Sequence, residues 1–314
     1  MRVVFLGTPE FAAIPLAALA RDGRYELVGV VTQPDRPAGR GRAPEPPPVK
    51  RKVAELSLDI PVLQPETLRD SAAVETLAAL RPDIGVVAAY GEILRKSVLA
   101  IPPLGYLNIH PSLLPRHRGP APVVGAILSG DDATGVTIML LESKMDAGPI
   151  LAQRRVPLPP GARADALTTE LFELGAEMLV ETLAGYAAGA IAPVPQDDEQ
   201  ATYTKMLQKS DGIVDWGAPA VQIERMARAY HPWPGAQTTW RGQPLKIVAA
   251  RPHPGWAGPE PPGTLLDRSD GAWVAAGAGA LELLVVQPAG KREMPADAWR
   301  RGIQRVVPGE RLGV

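Results

Sequence analysis

The feature that most constrains the fold is an alternation of short apolar runs and helical stretches over the first 190 residues. The runs are apolar on both faces, which is typical of central strands in a parallel sheet. We predict strands at Val3–Leu6, Leu27–Thr32, Ile84–Ala89 and Tyr106–Ile109, and extended runs at Gly135–Leu141 and Ile150–Val156. Three-to-four spacing of apolar residues predicts helices over Phe11–Ala20, Glu66–Leu80, Ile93–Ala100, Ala121–Leu128 and Ala164–Ala188. The pattern indicates an α/β domain in which helices cover a parallel sheet.

The pattern changes after this domain. Residues 191–209 lack apolar periodicity and contain two prolines and an acidic triplet, so they are predicted to be a linker. Residues 210–314 contain one predicted helix, Ala220–Tyr230, followed by short strands between glycine and proline turns. Such strands are typical of a small β-barrel. We therefore predict two domains, covering residues 1–190 and 210–314.

A basic, proline-rich segment interrupts the first domain after its second predicted strand. The run from Asp35 to Lys52 carries six cationic residues, Arg36, Arg40, Arg42, Lys50, Arg51 and Lys52, against two acidic ones. It also contains the triplet Pro46-Pro47-Pro48, and prolines at this density exclude helix and central strand. The whole chain has 33 Lys and Arg against 34 Asp and Glu, so it is not a globally basic nucleic-acid binder. We predict a basic loop inserted at residues 34–49.

Composition excludes several classes of site. The chain has no cysteine, which removes disulfides, thiolate nucleophiles and cysteine-ligated metals, and we expect no metal. No run approaches the roughly 18 apolar residues of a membrane span. The first apolar run, Val3–Leu6, is too short for a signal-peptide core. We expect a cytoplasmic protein that does not bind membranes.

The richest concentration of candidate catalytic residues follows the fourth predicted strand, in the run Asn108–Gly119. Ligands of open parallel sheets bind at the carboxyl ends of strands. Asn108 and His110 point to the same side of a strand with period two. An amide can stabilise an oxyanion and an imidazole can move a proton, while Asp146 on a Met-Asp-Ala-Gly turn can supply a carboxylate. The residues alone permit an acyl-transfer or hydrolytic site, or structural roles only.

The run Asn108–Gly119, with the Pro-Ala-Pro that follows, resembles the signature of the 10-formyltetrahydrofolate-dependent formyltransferases. The resemblance implies that Asn108, His110 and Asp146 are catalytic, with Asp146 raising the pKa of His110. It also implies that 10-formyltetrahydrofolate is the formyl donor and that a Ser-Leu-Leu-Pro stretch contacts it: Ser112, Leu113, Leu114 and Pro115. Departures from the family pattern are Arg95, Pro111 and Lys144, and none of them removes a catalytic side chain.

Other segments resemble the members of this family that act on methionyl-initiator tRNA. They are Gly7–Ala12, Thr32–Arg42, Ile213–Trp216, Pro232–Ala236, Gln287–Lys291 and Val307–Leu312. This resemblance implies a Rossmann-like formyltransferase domain followed by a small OB-like β-barrel domain, both binding initiator tRNA. It implies a monomer in which basic-loop residues contact the tRNA, namely Arg36, Arg40 and Arg42.

Three alternatives stay open at this point. The chain could formylate a nucleotide-linked amino sugar, with the same catalytic trio and a barrel-like second domain. It could hydrolyse formyltetrahydrofolate, with water in place of the amine. It could also be an RNA-binding protein without enzymatic activity. Dependence of formyl release on charged tRNA, and binding of folate, distinguish these alternatives.

Overall fold

The computed structural model describes residues 1–38, 43–303 and 309–313, and the chain divides into two compact units. The first unit comprises Met1–Pro122, Ala133–Pro157 and Thr168–Thr204. The second comprises Val123–Asp132, Leu158–Leu167 and Lys205–Val314.

Nine strands and six α-helices precede residue 190. The strands are β1 (Arg2–Gly7), β2 (Glu26–Val31), β3 (Arg36–Ala38), β4 (Ala43–Glu45), β5 (Val62–Leu63), β6 (Ile84–Ala88), β7 (Tyr106–His110), β8 (Ala133–Leu140) and β9 (Ile150–Pro157). The helices are α1 (Ala13–Arg21), α2 (Pro48–Glu55), α3 (Ser71–Ala79), α4 (Lys96–Leu99), α5 (Pro122–Ser129) and α6 (Ala164–Ala187). These counts refer to the described residues.

Seven strands form one sheet in the order β5-β2-β1-β6-β7-β8-β9. The first five strands in this order, β5, β2, β1, β6 and β7, are parallel to one another. At the other edge, β8 pairs antiparallel with β7, and β9 pairs antiparallel with β8. The parallel strands are buried because their residues are apolar on both faces. Tyr106 packs into a cluster with Val4, Leu6 and Leu77, and it lies against Gly85 of the adjacent strand. The predicted α/β class with a parallel sheet is confirmed.

The basic segment differs from its prediction at its carboxyl end. Helix α2 begins at Pro48, so the exclusion of helix from this segment is wrong there. Proline is tolerated in the first turn of a helix, where its missing N–H would have no partner. Val49 and Val53 are four residues apart and bury one face of this helix. Upstream, β3 and β4 pair as a short antiparallel hairpin of their own.

The second unit contains α7 (Ala220–Ala229), β10 (Ala236–Trp240), β11 (Gln243–His253), β12 (Leu265–Leu266), β13 (Ala272–Ala275), β14 (Ala280–Pro288), β15 (Met294–Pro295) and α8 (Ala296–Arg301). Its strands form an antiparallel sheet in the order β10-β11-β14-β13-β12, with β15 paired to β14. Trp216, Ile223 and Leu283 belong to the apolar core of this unit. In the described part of the chain no pairing joins β10 to β12, so the sheet is a half-barrel. The prediction that an α/β domain is followed by a small β domain is confirmed.

Candidate active site

The sheet brings the first two predicted catalytic residues together on β7. Within this strand Asn108 lies beside Val87 of β6 and Met139 of β8, and His110 lies beside Thr137 of β8. Asn108 and His110 are 8% and 4% exposed, so both side chains are largely covered by the protein. They share one face of the strand at its carboxyl end, as the sequence predicts.

The carboxamide of Asn108 is available to a ligand. Within the residues that the structure describes, no hydrogen bond engages this side chain. The polar atoms that are fully buried without a partner in the described residues do not include the Asn108 amide, so this amide is accessible. Asn108 therefore offers an N–H donor to a ligand at the end of β7.

His110 is oriented by one backbone carbonyl. Its Nε2 lies 3.0 Å from the carbonyl oxygen of His117, and a carbonyl can only accept a hydrogen bond. The proton of the neutral ring is therefore on Nε2, which leaves the lone pair on Nδ1. Nδ1 is the nitrogen that can accept a proton from a substrate.

Asp146 supplies the third group from the turn after β8. Its Oδ2 lies 3.8 Å from Nδ1 of His110 and accepts a 2.7 Å hydrogen bond from the backbone N–H of Gly119. The backbone of Asp146 has φ +49°, in the left-handed region that few residues other than glycine adopt. The structure thus brings the side chains of His110 and Asp146 together at the end of the strand that carries Asn108.

The net shift in the pKa of His110 is opposite in direction to our prediction. Burial lowers the pKa of His110 below its usual 6.5, and this effect exceeds the opposite influences of the Asp146 carboxylate and the His117 carbonyl. Asp146 does act to raise the pKa of His110, as predicted, but the prediction of a raised pKa is wrong because burial lowers it by more. His110 is therefore neutral at pH 7.

The predicted folate-contacting stretch forms a structured loop after β7. The Ser112 hydroxyl donates to the Arg116 carbonyl at 2.7 Å, and the Ser112 carbonyl accepts from Thr137 Oγ1 at 2.7 Å. Ser112 and Leu114 are buried, whereas Leu113 and Pro115 are half-buried. The polar groups of Ser112 are therefore used within the protein, and Leu113 and Pro115 offer the accessible apolar surface. Contact of these four residues with folate stays a prediction.

The predicted tRNA contacts are only partly within the described residues. Arg36 is exposed at the start of β3, and its guanidinium forms a 2.8 Å ion pair with Glu66. Arg40 and Arg42 lie outside the described residues. All three stay predictions as tRNA contacts.

Sequence reasoning missed a buried network beside the trio. Arg118, in the same motif as His110, is fully buried and forms a 2.8 Å ion pair with Asp198. The Arg118 guanidinium also donates to Gln196 and to the hydroxyl of Tyr203. These three partners lie in the segment that we predicted as a linker. No local sequence signal distinguishes Arg118 from the neighbouring exposed Arg116.

The described residues contain neither a membrane-spanning helix nor a metal-ion site. They contain no helix that is long and apolar enough to cross a membrane. They also contain no group of three or more His, Asp and Glu side chains arranged to hold a metal ion.

Comparison with structures of known proteins shows the same fold at low sequence identity. A crystal structure of the N-formyltransferase from Helicobacter canadensis, in complex with folinic acid and dTDP-3-aminofucose, matches 92% of this chain and 99% of its own with TM-score 0.66 and 15% identity. HypX from Aquifex aeolicus in complex with tetrahydrofolic acid matches 95% of this chain and 46% of its own, with TM-score 0.60 and 20% identity.

Sequence comparison identifies the family. Residues 1–183 match the formyl transferase family and residues 206–304 match the formyl transferase C-terminal domain. The methionyl-tRNA formyltransferase of Roseiflexus castenholzii is 66% identical over 313 residues, covering 100% of this chain and 99% of that protein. The methionyl-tRNA formyltransferase of Chloroflexus aurantiacus is 60% identical over 305 residues, covering 96% and 97%. This chain therefore belongs to the formyl transferase family, among the methionyl-tRNA formyltransferases.

Proposed function

We propose that this protein transfers the formyl group of 10-formyltetrahydrofolate to the α-amino group of methionyl-initiator tRNA, giving N-formylmethionyl-tRNA for translation initiation. The observation that carries the proposal is the approach of Asp146 to His110 at the carboxyl end of β7, the strand that also carries Asn108. These are the three groups that the formyltransferase motif predicts. Family membership over both parts of the chain supports the same reaction.

In the first step the neutral amine of methionine attacks the formyl carbon. A C–N bond forms and the formyl oxygen becomes an oxyanion. The amide N–H of Asn108, without a protein partner in the described structure, donates a hydrogen bond to that oxygen. Because a buried strand carries Asn108, the backbone position of this residue is set before the substrate binds.

His110 then moves the proton between the two nitrogens. Its neutral ring accepts the amine proton at Nδ1, which becomes possible because Nε2 already carries a proton bonded to the His117 carbonyl. The resulting imidazolium is stabilised by the carboxylate of Asp146, 3.8 Å away. The imidazolium donates the proton to N10 of folate as the bond between N10 and the formyl carbon breaks. The products are the formylated amine and tetrahydrofolate.

The acceptor requires contacts beyond the trio. We propose that residues 1–190 form the catalytic domain and residues 210–314 a tRNA-binding domain. Arg36, Arg40 and Arg42 of the basic segment would bind the acceptor stem through phosphates, because the major groove of A-form RNA is too narrow to read. Affinity should then fall with rising salt. Arg40→Ala should reduce discrimination between initiator and elongator methionyl-tRNA, and an unchanged preference would contradict this role.

The experiment that tests the function follows the fate of the formyl group. The purified protein is incubated with 10-formyltetrahydrofolate and methionyl-initiator tRNA, uncharged initiator tRNA or elongator methionyl-tRNA. We expect formyl groups on the charged initiator alone. Formate released equally without tRNA would indicate a hydrolase and overturn the proposal. We also propose that the protein acts as a monomer in the cytoplasm, and sedimentation equilibrium should give a mass near 33.3 kDa.

A further inference from the structure

The chain between Gln196 and Thr204 passes beside the catalytic motif. The backbone N–H of Arg118 donates to the Thr202 carbonyl at 2.9 Å, and Thr202 Oγ1 accepts from the N–H of His117 at 2.8 Å. The His117 carbonyl is in turn the acceptor for Nε2 of His110. This segment is therefore hydrogen-bonded to the residue that orients the catalytic imidazole.

Gln196 connects two parts of the site through its side-chain amide. Its Oε1 accepts from Nε and Nη2 of Arg118 at 3.0 and 2.8 Å. Its Nε2 donates to the backbone carbonyls of Asp146 and Gly148 at 2.9 and 2.7 Å. A guanidinium only donates and a carbonyl only accepts, so the orientation of this amide is determined by its surroundings.

Arg118 is a fixed anchor for the side chain of Gln196. Its side chain is fully buried, with an ion pair to Asp198 and a hydrogen bond to the hydroxyl of Tyr203 at 3.3 Å. A buried guanidinium needs all of its partners, because an unpaired charge in the interior is strongly unfavourable. Arg118 therefore has little freedom to move, and it holds Oε1 of Gln196 in place.

The turn that carries Asp146 needs such support. Its backbone is in the left-handed region, φ +49°, which aspartate tolerates better than most non-glycine residues but still at a cost, so groups that hold the turn stabilise this conformation. The backbone N–H of Gly119 fixes the carboxylate. The two hydrogen bonds from Gln196 fix the backbone on both sides of Ala147.

We propose that Gln196 is a positioning residue for formyl transfer: anchored on Arg118, it holds the Asp146 turn so that the carboxylate faces Nδ1 of His110. This inference rests on the proposed function, because it adds a residue to the same reaction. The hydrogen bonds of Gln196 go to Arg118 and to the Asp146 turn, so its influence on His110 passes through Asp146.

Two substitutions separate this role from bulk packing. Gln196→Ala removes all four hydrogen bonds. Gln196→Glu keeps the size and the contact with Arg118, but it places a carboxylate oxygen against the carbonyls of Asp146 and Gly148. Two acceptors repel each other, so the turn must move although the cavity stays filled.

We expect both variants to lower kcat about 10- to 100-fold, because displacement of a catalytic group by about 1 Å has effects of this size. KM for methionyl-tRNA and for 10-formyltetrahydrofolate should stay within about threefold, since both ends of the Gln196 amide are bonded to protein groups. The pH–rate profile should move as well. His110 faces two titratable groups, Asp146 and His117, and the Asp146 carboxylate acts to raise the pKa of His110. Withdrawal of that carboxylate should shift the acidic limb of the profile to lower pH.

The control is Gln200→Ala, in which the same residue type is replaced four positions away. Gln200 is exposed and its amide bonds Asp197. We expect its kcat and pH profile to match those of the wild type. All rates are expressed per folded site, counted by titration with a folate analogue, so that loss of folded protein does not imitate loss of kcat.

The outcomes distinguish the inference from the proposed function. If the wild-type protein does not formylate methionyl-tRNA, the proposed function fails. If the wild type is active and both Gln196 variants keep kcat within about twofold, the proposed role of Gln196 is wrong. A loss confined to KM for tRNA would also overturn it, because it would make Gln196 a substrate contact. A lower kcat with the acidic limb shifted to lower pH in Gln196→Ala, which adds no charge, together with a lower kcat in Gln196→Glu, supports the inference.

Discussion

Replacement of Asp146 by asparagine tests the electrostatic part of the mechanism. Asparagine has the same shape, and its amide oxygen can still accept the hydrogen bond that Gly119 N–H donates to Oδ2. The change therefore removes the negative charge 3.8 Å from Nδ1 of His110 and leaves the turn in place. The imidazolium formed after proton transfer loses its counter-charge.

The size of the effect follows from the distance and the burial. The side chains of His110 and Asp146 are 5% and 15% exposed, so an effective dielectric constant of about 20 is appropriate. At 3.8 Å the attraction between imidazolium and carboxylate is then about 4 kcal/mol. Full expression of this attraction in the transition state would be worth about 10³-fold in rate. Since the proton is only partly transferred there, we expect kcat to fall on the order of 10²- to 10³-fold.

The assay is single-turnover formylation of methionyl-initiator tRNA over a range of pH. The plateau rate should fall, and the acidic limb should move to lower pH because the pKa of His110 loses the influence of Asp146 while burial continues to lower it. Glu142→Gln is the matched control, because it removes one negative charge from an exposed residue nearby in sequence. A plateau within threefold of wild type in Asp146→Asn would refute the role of the carboxylate as counter-charge.

Three further predictions concern the amide, the histidines and the sheet. Asn108→Ala should lower the single-turnover rate about 10²- to 10³-fold with folate affinity nearly unchanged, and an equal loss in binding would argue against an oxyanion role. Burial lowers the pKa of both His110 and His231, so the unfolded chain binds more protons just below pH 6.5. The stability that these two histidines contribute is complete above about pH 6.5 and is lost as the pH falls through their folded pKa values. Urea denaturation midpoints at pH 7.5 and 5.5 measure this loss, and His110→Gln should make the difference between the two midpoints smaller. Equal midpoints in the wild type would contradict the reasoning. Gly85→Ala places a Cβ 2.0 Å from the ring of Tyr106 and should lower the free energy of unfolding by about 1–3 kcal/mol. An unchanged denaturation midpoint would mean that the sheet accommodates this Cβ without destabilisation.

Apolar periodicity was sufficient to predict most elements of the first unit. The strands at Val3, Leu27, Ile84 and Tyr106 appear within one or two residues of their predicted bounds. The direction of β8 and β9 was not predictable in this way, because strand direction depends on connections rather than on residue character. Helix α2 was missed because three prolines outweighed the spacing of Val49 and Val53, although the last proline lies where a helix tolerates it.

The trio was predicted from spacing and motif, but its supporting network was not. Arg118 looks like a surface cation in the sequence, since arginine is rarely buried without a partner. Its partners Gln196 and Asp198 are about 80 positions away, in a segment without periodicity. Nothing local in either segment indicates that they meet. The predicted linker, residues 191–209, therefore gives no sign in the sequence that Gln196, Asp198 and Tyr203 lie beside Arg118.

The protonation of His110 illustrates why a site's chemistry needs the structure as well as the residues. A sequence shows which charged groups can meet, and Asp146 beside His110 favours the charged imidazole. Burial opposes this, and it depends on all of the neighbouring packing, so the sign of the net shift is not visible in the motif. The outcome suits the proposed reaction, because a ring that begins neutral can accept the amine proton. The same burial strengthens the attraction to Asp146 once that proton arrives, so the low starting pKa of His110 and the stabilised intermediate have one physical cause.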